Sequence, residues 1–216
     1  MTYSDIDSGD YAENMRKKIA QQGLIYLFTG GGKGKTSAAL GILLRALSHG
    51  WKVGWVSWYK QQSWGISEHE FPKMLKKTAA QRLTFDAQGK GFFLGKNSNK
   101  KNSDPKMVQA GKALIVDAAT TKDHMRSAHE AFSSAQKLLP KVDILFLDEI
   151  CNALADNLIQ ETHVLELLKK RGAVHIVMTG RSASKKLIDL ADLVSEINNI
   201  KHPFDKGKMA VKGLDF

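Results

Sequence analysis

The sequence predicts a three-layer α/β fold with a mostly parallel central sheet, and three stretches carry that prediction. In the first, the apolar residues 24–28 are followed by Thr29-Gly30-Gly31-Gly32-Lys33-Gly34-Lys35-Thr36-Ser37 and then by an amphipathic run, 38–47. Strand, glycine-rich turn and helix in that order make a phosphate cradle. The glycines let backbone N–H groups converge on an anion, and the helix N-terminus adds partial positive charge. Lys35 can neutralise phosphate oxygens, and the Thr36 hydroxyl can ligate Mg2+. In the second, the near-continuous apolar run 142–147 ends in Asp148-Glu149. Such a run is a buried parallel strand, and the carboxylates at its end can hold Mg2+ or its waters opposite Thr36. In the third, the apolar run 173–178 ends in Thr179-Gly180-Arg181, which puts an arginine where it can reach a phosphate. This order is that of a P-loop NTPase fold of the RecA-like type.

The other elements follow along the chain. Residues 11–22 read as a short helix, with Tyr11, Met15 and Ile19 on one face and Gly23 as its stop. The helix after the phosphate loop runs to about His49 and ends at Gly50. Residues 51–58 read as the second strand. The loop after it, 59–70, lies at the carboxyl end of a strand, where α/β sheets place ligands. There Lys60 can touch phosphate and Trp64 can stack on a flat ligand; otherwise this is a polar loop with one anchoring Trp. Glu68, His69 and Glu70 are contiguous, which is not metal-ligand spacing on one helix face. Residues 71–81 read as a helix and 82–86 as a third strand.

Residues 87–104 form a long irregular stretch of the kind that serves function. Phe92 and Phe93 within it are either a staple onto the core or part of an apolar ligand wall. Pro105 opens a helical stretch with Met107, Ala110 and Leu114 on one face, and a second helix runs to about Leu139, where Pro140 breaks it. Helices are also read at 152–157, at 161–171 with Thr162 or a neighbour as cap, and at 184–191. A last strand is read at 193–197.

The length, 216 residues, suits one large α/β domain. No run is long and apolar enough to span a bilayer, and the first ten residues are polar and acidic, unlike a secretory signal. The single cysteine, Cys151, excludes an intrachain disulfide and a cysteine-based zinc site, so a reducing cytoplasm is the expected setting. The formal charge of +10 suits nucleic acid, a polyphosphate substrate or an acidic protein partner. No helix-turn-helix, RNP or zinc-finger signature accompanies the lysines at 90, 96, 100, 101 and 106, which argues against nucleic acid.

One detail of the phosphate loop departs from the usual G-x-x-x-x-G-K-[ST]: Thr29 stands where the first glycine belongs, and Gly30 follows. Taken with the segments Leu147-Asp148-Glu149, Thr179-Gly180-Arg181, Leu190-Ala191-Asp192-Leu193-Val194-Ser195-Glu196, Lys201-His202-Pro203-Phe204-Asp205-Lys206-Gly207 and Gly213-Leu214-Asp215-Phe216, the chain resembles the ATP:corrinoid adenosyltransferases of the P-loop type. The shortened loop is itself that family's form. The resemblance implies transfer of the 5′-deoxyadenosyl group of ATP to Co(I) of cob(I)alamin or a precursor such as cob(I)yrinic acid a,c-diamide. Triphosphate is released, in adenosylcobalamin biosynthesis or salvage. The nucleophile is then the substrate's cobalt and no protein group serves as a catalytic base, in keeping with the lack of a Ser-His-Asp or Cys-His set.

Residue by residue, the resemblance implies that Thr29 to Ser37 hold the nucleotide and that Gly30 to Lys35 wrap its triphosphate. Thr36 and Glu149 would hold Mg2+, with Asp148 in support. Lys60 and Arg181 would add phosphate or positioning contacts, and His202 would approach the nucleoside. Phe92 would face the corrin in a segment of the family form Gly-Phe-x-Trp. Here that segment is Gly91-Phe92-Phe93-Leu94, with Leu94 in the Trp place and Trp64 or Phe93 as alternative apolar walls. Residues 1–22 resemble an N-terminal tail and helix that covers the active site, in a homodimer that of a partner, ahead of a single domain, 23–216. An electron-donor protein such as a reduced flavodoxin is implied as well. The alternatives are an ATPase or kinase cleaving the γ-phosphate, which the +10 charge would allow to act on nucleic acid, and a non-catalytic binder of ATP with or without a corrinoid.

Overall fold

The computed structural model describes residues 22–60, 67–87, 89–91, 93, 106–110, 113–117 and 119–215. The expected N-terminal helix, Trp64, Phe92, Leu94 and the Lys-rich segment 95–104 lie outside them. The central sheet has six strands, all parallel: β1 (Ile25–Thr29), β2 (Val53–Ser57), β3 (Leu83–Ala87), β6 (Ile144–Asp148), β7 (His175–Thr179) and β8 (Leu193–Glu196). Their order across the sheet is β3-β2-β6-β7-β1-β8. Six helices belong with it: α1 (Lys35–Ser48), α2 (Ser67–Met74), α4 (Thr121–Leu138), α5 (Ile150–Ala155), α6 (Glu161–Lys169) and α7 (Lys185–Leu190), together with the single turn α3 (Lys77–Ala80).

The strand period of two sorts the side chains into two cores. Phe28, Val53, Trp55, Ile144, Phe146 and Val177 face α1, which answers with Ala39, Leu43, Ala46 and Leu47. Their neighbours Ile25, Leu27, Val56, Leu145, Leu147, Ile176 and Met178 face the opposite layer, where Ala131 and Ala135 of α4, Leu168 of α6 and Leu187 of α7 meet them. Because both faces are covered, the central strands read as unbroken apolar runs, which is why they were visible in the sequence.

Two expectations are corrected. Residues 106–110 and 113–117 are not helical; they are β4 (Lys106–Ala110) and β5 (Ala113–Asp117), an antiparallel hairpin with Lys106 opposite Asp117. The helical spacing of Met107, Ala110 and Leu114 is overridden by pairing between the two strands. Helix α6 is entered from Gln160 without a side-chain cap, so Thr162 does not cap it. Helix α4 is capped reciprocally by Thr120 and Asp123, which fixes where the chain leaves the hairpin.

Candidate active site

Parallel strands deliver their carboxyl ends to one edge of the sheet, and four of them deliver polar residues there. β1 leads into the phosphate loop, whose last residue, Gly34, has φ 116°, a left-handed conformation that glycine adopts without strain. The turn aims the N-terminus of α1 back over the sheet. Lys35 is buried, and its Nζ donates to the carbonyls of Gly30 at 2.9 Å and Gly32 at 2.6 Å. Burial lowers the Lys35 pKa; the Glu149 carboxylate opposes that and the Arg181 charge adds to it.

Asp148 ends β6 and is fully buried. Its Oδ1 accepts from Thr36 Oγ1 at 3.1 Å and Thr179 Oγ1 at 2.8 Å; its Oδ2 accepts from Ser57 Oγ at 3.0 Å and pairs with Lys60 Nζ at 2.7 Å. Burial alone would raise its pKa, yet the Lys60 ammonium and these donors hold it below the usual carboxylate range. The phosphate loop, β2, β6 and β7 are thus joined through one carboxylate.

Glu149 follows in a left-handed backbone conformation, φ 65°. In a non-glycine residue this costs about 1 kcal/mol or more and marks a position fixed by its surroundings. Its amide donates to Thr179 Oγ1 at 2.9 Å. Its Oε2 is buried and has no partner. Burial, reinforced by the Asp148 charge, pushes its pKa up to about 7. An unpaired carboxylate oxygen beside a saturated one is a seat for an incoming cation or donor.

Arg181 donates its backbone N–H to Asn152 Oδ1 at 2.6 Å and is exposed at the rim, close enough for its charge to act on Lys35 and Glu149. Lys60 is not a free cation. Its ammonium lies between Asp148 and Glu68, the latter at 3.0 Å. The chain beyond β8 returns over the phosphate loop. Gly32 donates its amide to the Ile197 carbonyl at 2.7 Å, Lys33 donates its own to Asn199 Oδ1 at 3.0 Å, and the Lys33 ammonium pairs with Asp215. His202 belongs to this return segment, where its Nδ1 accepts from the Phe204 amide at 3.1 Å and caps the 3-10 turn Pro203–Lys206.

In the segment expected to form the corrin wall, Phe93 packs against the core and meets His124 edge-on, ring centroids 5.1 Å apart. This is the staple arrangement among the two readings of that residue. The Gly91 amide donates to the Tyr59 carbonyl at 2.9 Å, so the segment entering Phe92 is tied to the residue preceding Lys60.

The sequence pattern of the family described as ATP:corrinoid adenosyltransferase BtuR/CobO/CobP matches residues 21–216, the return segment included. The chain belongs to the ATP:corrinoid adenosyltransferases. Among curated proteins it is similar to the corrinoid adenosyltransferase of Pseudomonas aeruginosa, 30% identical with 93% of this chain and 89% of that one aligned. It is similar to corrinoid adenosyltransferase CobA of Salmonella typhimurium at 30%, with 91% and 87% aligned. A corrinoid adenosyltransferase from Sinorhizobium sp. is 31% identical, with 94% and 84% aligned. For an adenosyltransferase the γ-phosphate-cleaving alternative is not favoured. Among the described residues no helix is long and apolar enough to cross a membrane.

Sequence reasoning brought Lys35, Thr36, Asp148, Glu149 and the Thr179–Arg181 turn to the same edge. It missed Ser57, Glu68 and Asp215. Ser57 had a signal, a hydroxyl at the carboxyl end of an apolar strand; Glu68 was weighed only as a metal ligand by spacing, and Asp215 stood only within the last of the segments that carry the resemblance.

Proposed function

We propose that the cluster centred on Asp148 and Glu149 is the ATP site, and that the chain joins C5′ of ATP to the Co(I) atom of its corrinoid substrate. Cobalt supplies the electron pair of the new Co–C bond, the C5′–O bond breaks, and triphosphate leaves with the pair of the broken bond. The observation that carries this reading is the unpaired, buried Glu149 Oε2 beside a phosphate loop whose Thr36 hydroxyl already touches Asp148. Hydroxyl and carboxylate oxygens at one edge are the hard donors that Mg2+ takes, with waters and phosphate oxygens filling the remaining positions. Thr36 and Glu149 would hold it and Asp148 would support Thr36; the ion would neutralise charge on the leaving triphosphate.

The chain's own residues do the rest. The backbone amides at the start of α1 grip the phosphates, those of Gly32 and Lys33 being taken by Ile197 and Asn199, and Lys35 turns from the Gly30 and Gly32 carbonyls to phosphate oxygens. Arg181 adds a second cation at the rim. Lys60 acts from behind by neutralising Asp148. Holding C5′ toward the cobalt converts a bimolecular reaction into a positioned one, which is where an enzyme with no protein nucleophile gains its rate. His202 in the return segment is the candidate for the nucleoside, and Trp64, Phe92 and Leu94 are candidates for the corrin wall. Residues 1–22 as a cover over the site, a homodimer, a reduced flavodoxin or similar electron donor and a cytoplasmic setting belong to the same proposal.

The test is anaerobic incubation with ATP, Mg2+ and chemically reduced cob(I)alamin. Corrinoid-dependent triphosphate together with a light-labile Co–C product is expected. Formation of ADP without corrinoid would overturn the reading, and tight ATP binding without turnover on several corrinoids would assign a non-catalytic binder.

A further inference from the structure

We propose that Glu68 is a positioning residue for the metal-nucleotide site, acting on the cation from its outer shell; the inference rests on the ATP site proposed above. Glu68 lies in the first turn of α2, with its side chain 13% exposed. Its Oε1 accepts from Lys60 Nζ at 3.0 Å, while the same ammonium pairs with Asp148 Oδ2 at 2.7 Å. Its Oε2 is buried and has no partner. Glu68 and Glu149 are the two residues whose buried side-chain oxygens are left unpaired among the described residues, and both belong to the group around Lys60 and Asp148.

Two consequences follow from this placement. First, Glu68 draws on the Lys60 charge that would otherwise fall wholly to Asp148. The carboxylates of Asp148, Glu149 and Glu68 offset the cations of Lys35, Lys60 and Arg181, so the group can still accept a cation. Without the Glu68 charge, the same group is net positive and repels one. Second, a buried carboxylate oxygen that lacks a donor is costly, and the cost is relieved when a ligand brings one. Mg2+ dehydrates reluctantly and reaches such sites still carrying waters, whose O–H groups are strong donors. An outer carboxylate that orients a metal-bound water typically changes metal affinity by 10–100-fold when lost. Glu68 reaches this position by an ion pair across the 61–66 segment, so its part needs no ligand spacing along one helix face.

The test uses the full chain loaded with ATP and titrated with Mn2+, free metal being read by electron paramagnetic resonance; ATP affinity is measured separately in EDTA. Glu68→Gln keeps the shape and the acceptor for Lys60 and removes the charge. It is expected to weaken Mn2+ binding about tenfold while leaving ATP affinity in EDTA within about twofold of wild type. A loss of Mn2+ affinity below about threefold would overturn the proposal. So would an equal fall in ATP affinity without metal, which would assign the free oxygen to a nucleotide hydroxyl. Glu68→Asp keeps the charge and should stay within about threefold of wild type for Mn2+; a loss as large as that of Glu68→Gln would show that packing and not charge is at stake, and would likewise overturn it. If wild type itself failed to bind Mn2+ with ATP, the ATP-site reading would fall with this one, whereas a normal wild type with an unaffected variant would remove only the role of Glu68.

Discussion

The two ends of the parallel sheet handle buried polar groups in opposite ways. At the amino ends of the strands, polar side chains close off backbone. Buried Arg171 donates from Nε to the Gly23 carbonyl at 2.7 Å and from a terminal nitrogen to the Leu168 carbonyl at 2.8 Å. His175 Nδ1 accepts from the Leu24 amide at 3.0 Å and its ring stacks on Trp51, 5.2 Å between centroids. Asp143 and Asp192 accept from the amides of Lys52 and Ile25. Between these contacts lies a mostly apolar cavity of about 240 Å³ lined by Tyr26, Ile42, Trp51 and Ile176 among others. At the carboxyl ends, side chains lean on one another, two carboxylate oxygens have no partner, and Tyr59, Glu149 and Ser182 hold left-handed backbone. One end spends its polar groups on completing the fold; the other leaves buried carboxylate oxygens unpaired. Ligand chemistry at the carboxyl edge is the general rule for open parallel sheets, and here the bond inventory gives its physical basis.

The sharpest way to break this contrast is Lys35→Ala. It should lower kcat/KM for ATP by about 10³-fold or more, as expected for loss of a preorganised charge on a leaving group. The melting temperature should move little, because the Lys35 ammonium bonds to loop carbonyls and not to the core. Near-normal turnover in a coupled triphosphate assay would remove the site from this edge.

A smaller effect is expected from pH on the metal-free protein. The Glu149 pKa is raised in the folded state from an ordinary 4.5 to about 7, so its contribution to stability is present at low pH and is lost as pH rises toward 7. Between pH 5 and 8 that loss is of the order of 3 kcal/mol for a group this buried. Glu149→Gln should abolish it. Burial lowers the His175 pKa, which gives the opposite slope, but that slope is common to both proteins and cancels in the difference. The measurement is a set of denaturant melts in EDTA; parallel pH curves for wild type and Glu149→Gln would show that Glu149 ionises normally.

The smallest effect sharpens the other end. Arg171→Met removes charged hydrogen bonds to two carbonyls and should cost about 2 kcal/mol, a fall of several degrees in melting temperature for a domain of this size. The kcat of the folded fraction should be unchanged. A loss of kcat without a loss of stability would mean that the two ends are not separable in this way.

The parts of this arrangement that could be read from the sequence were those carried by neighbours in the chain. Gly34-Lys35-Thr36 after an apolar strand, Asp148-Glu149 at the end of another and Thr179-Gly180-Arg181 at the end of a third each state their local geometry in a few residues. The hairpin of β4 and β5 was hidden because Met107, Ala110 and Leu114 fall on helical spacing, and only the pairing of Lys106 with Asp117 settles the matter. Lys60 was found as a cation near the phosphates, but its partners were not, since an ion pair with Asp148 across the sheet leaves no mark in either segment. The same is true of Lys33 and Asp215, which lie at opposite ends of the chain.

The return of the chain over the phosphate loop has a consequence for how the protein is made. Among the described residues β1 is the first strand in chain order, yet its neighbours in the sheet are β7 and β8, the last two. The amides of Gly32 and Lys33 find their acceptors only at Ile197 and Asn199. A nascent chain therefore carries this loop out of the ribosome long before the partners of the Gly32 and Lys33 amides have been made. The loop reaches its full set of bonds only after the residues beyond Glu196 have been added.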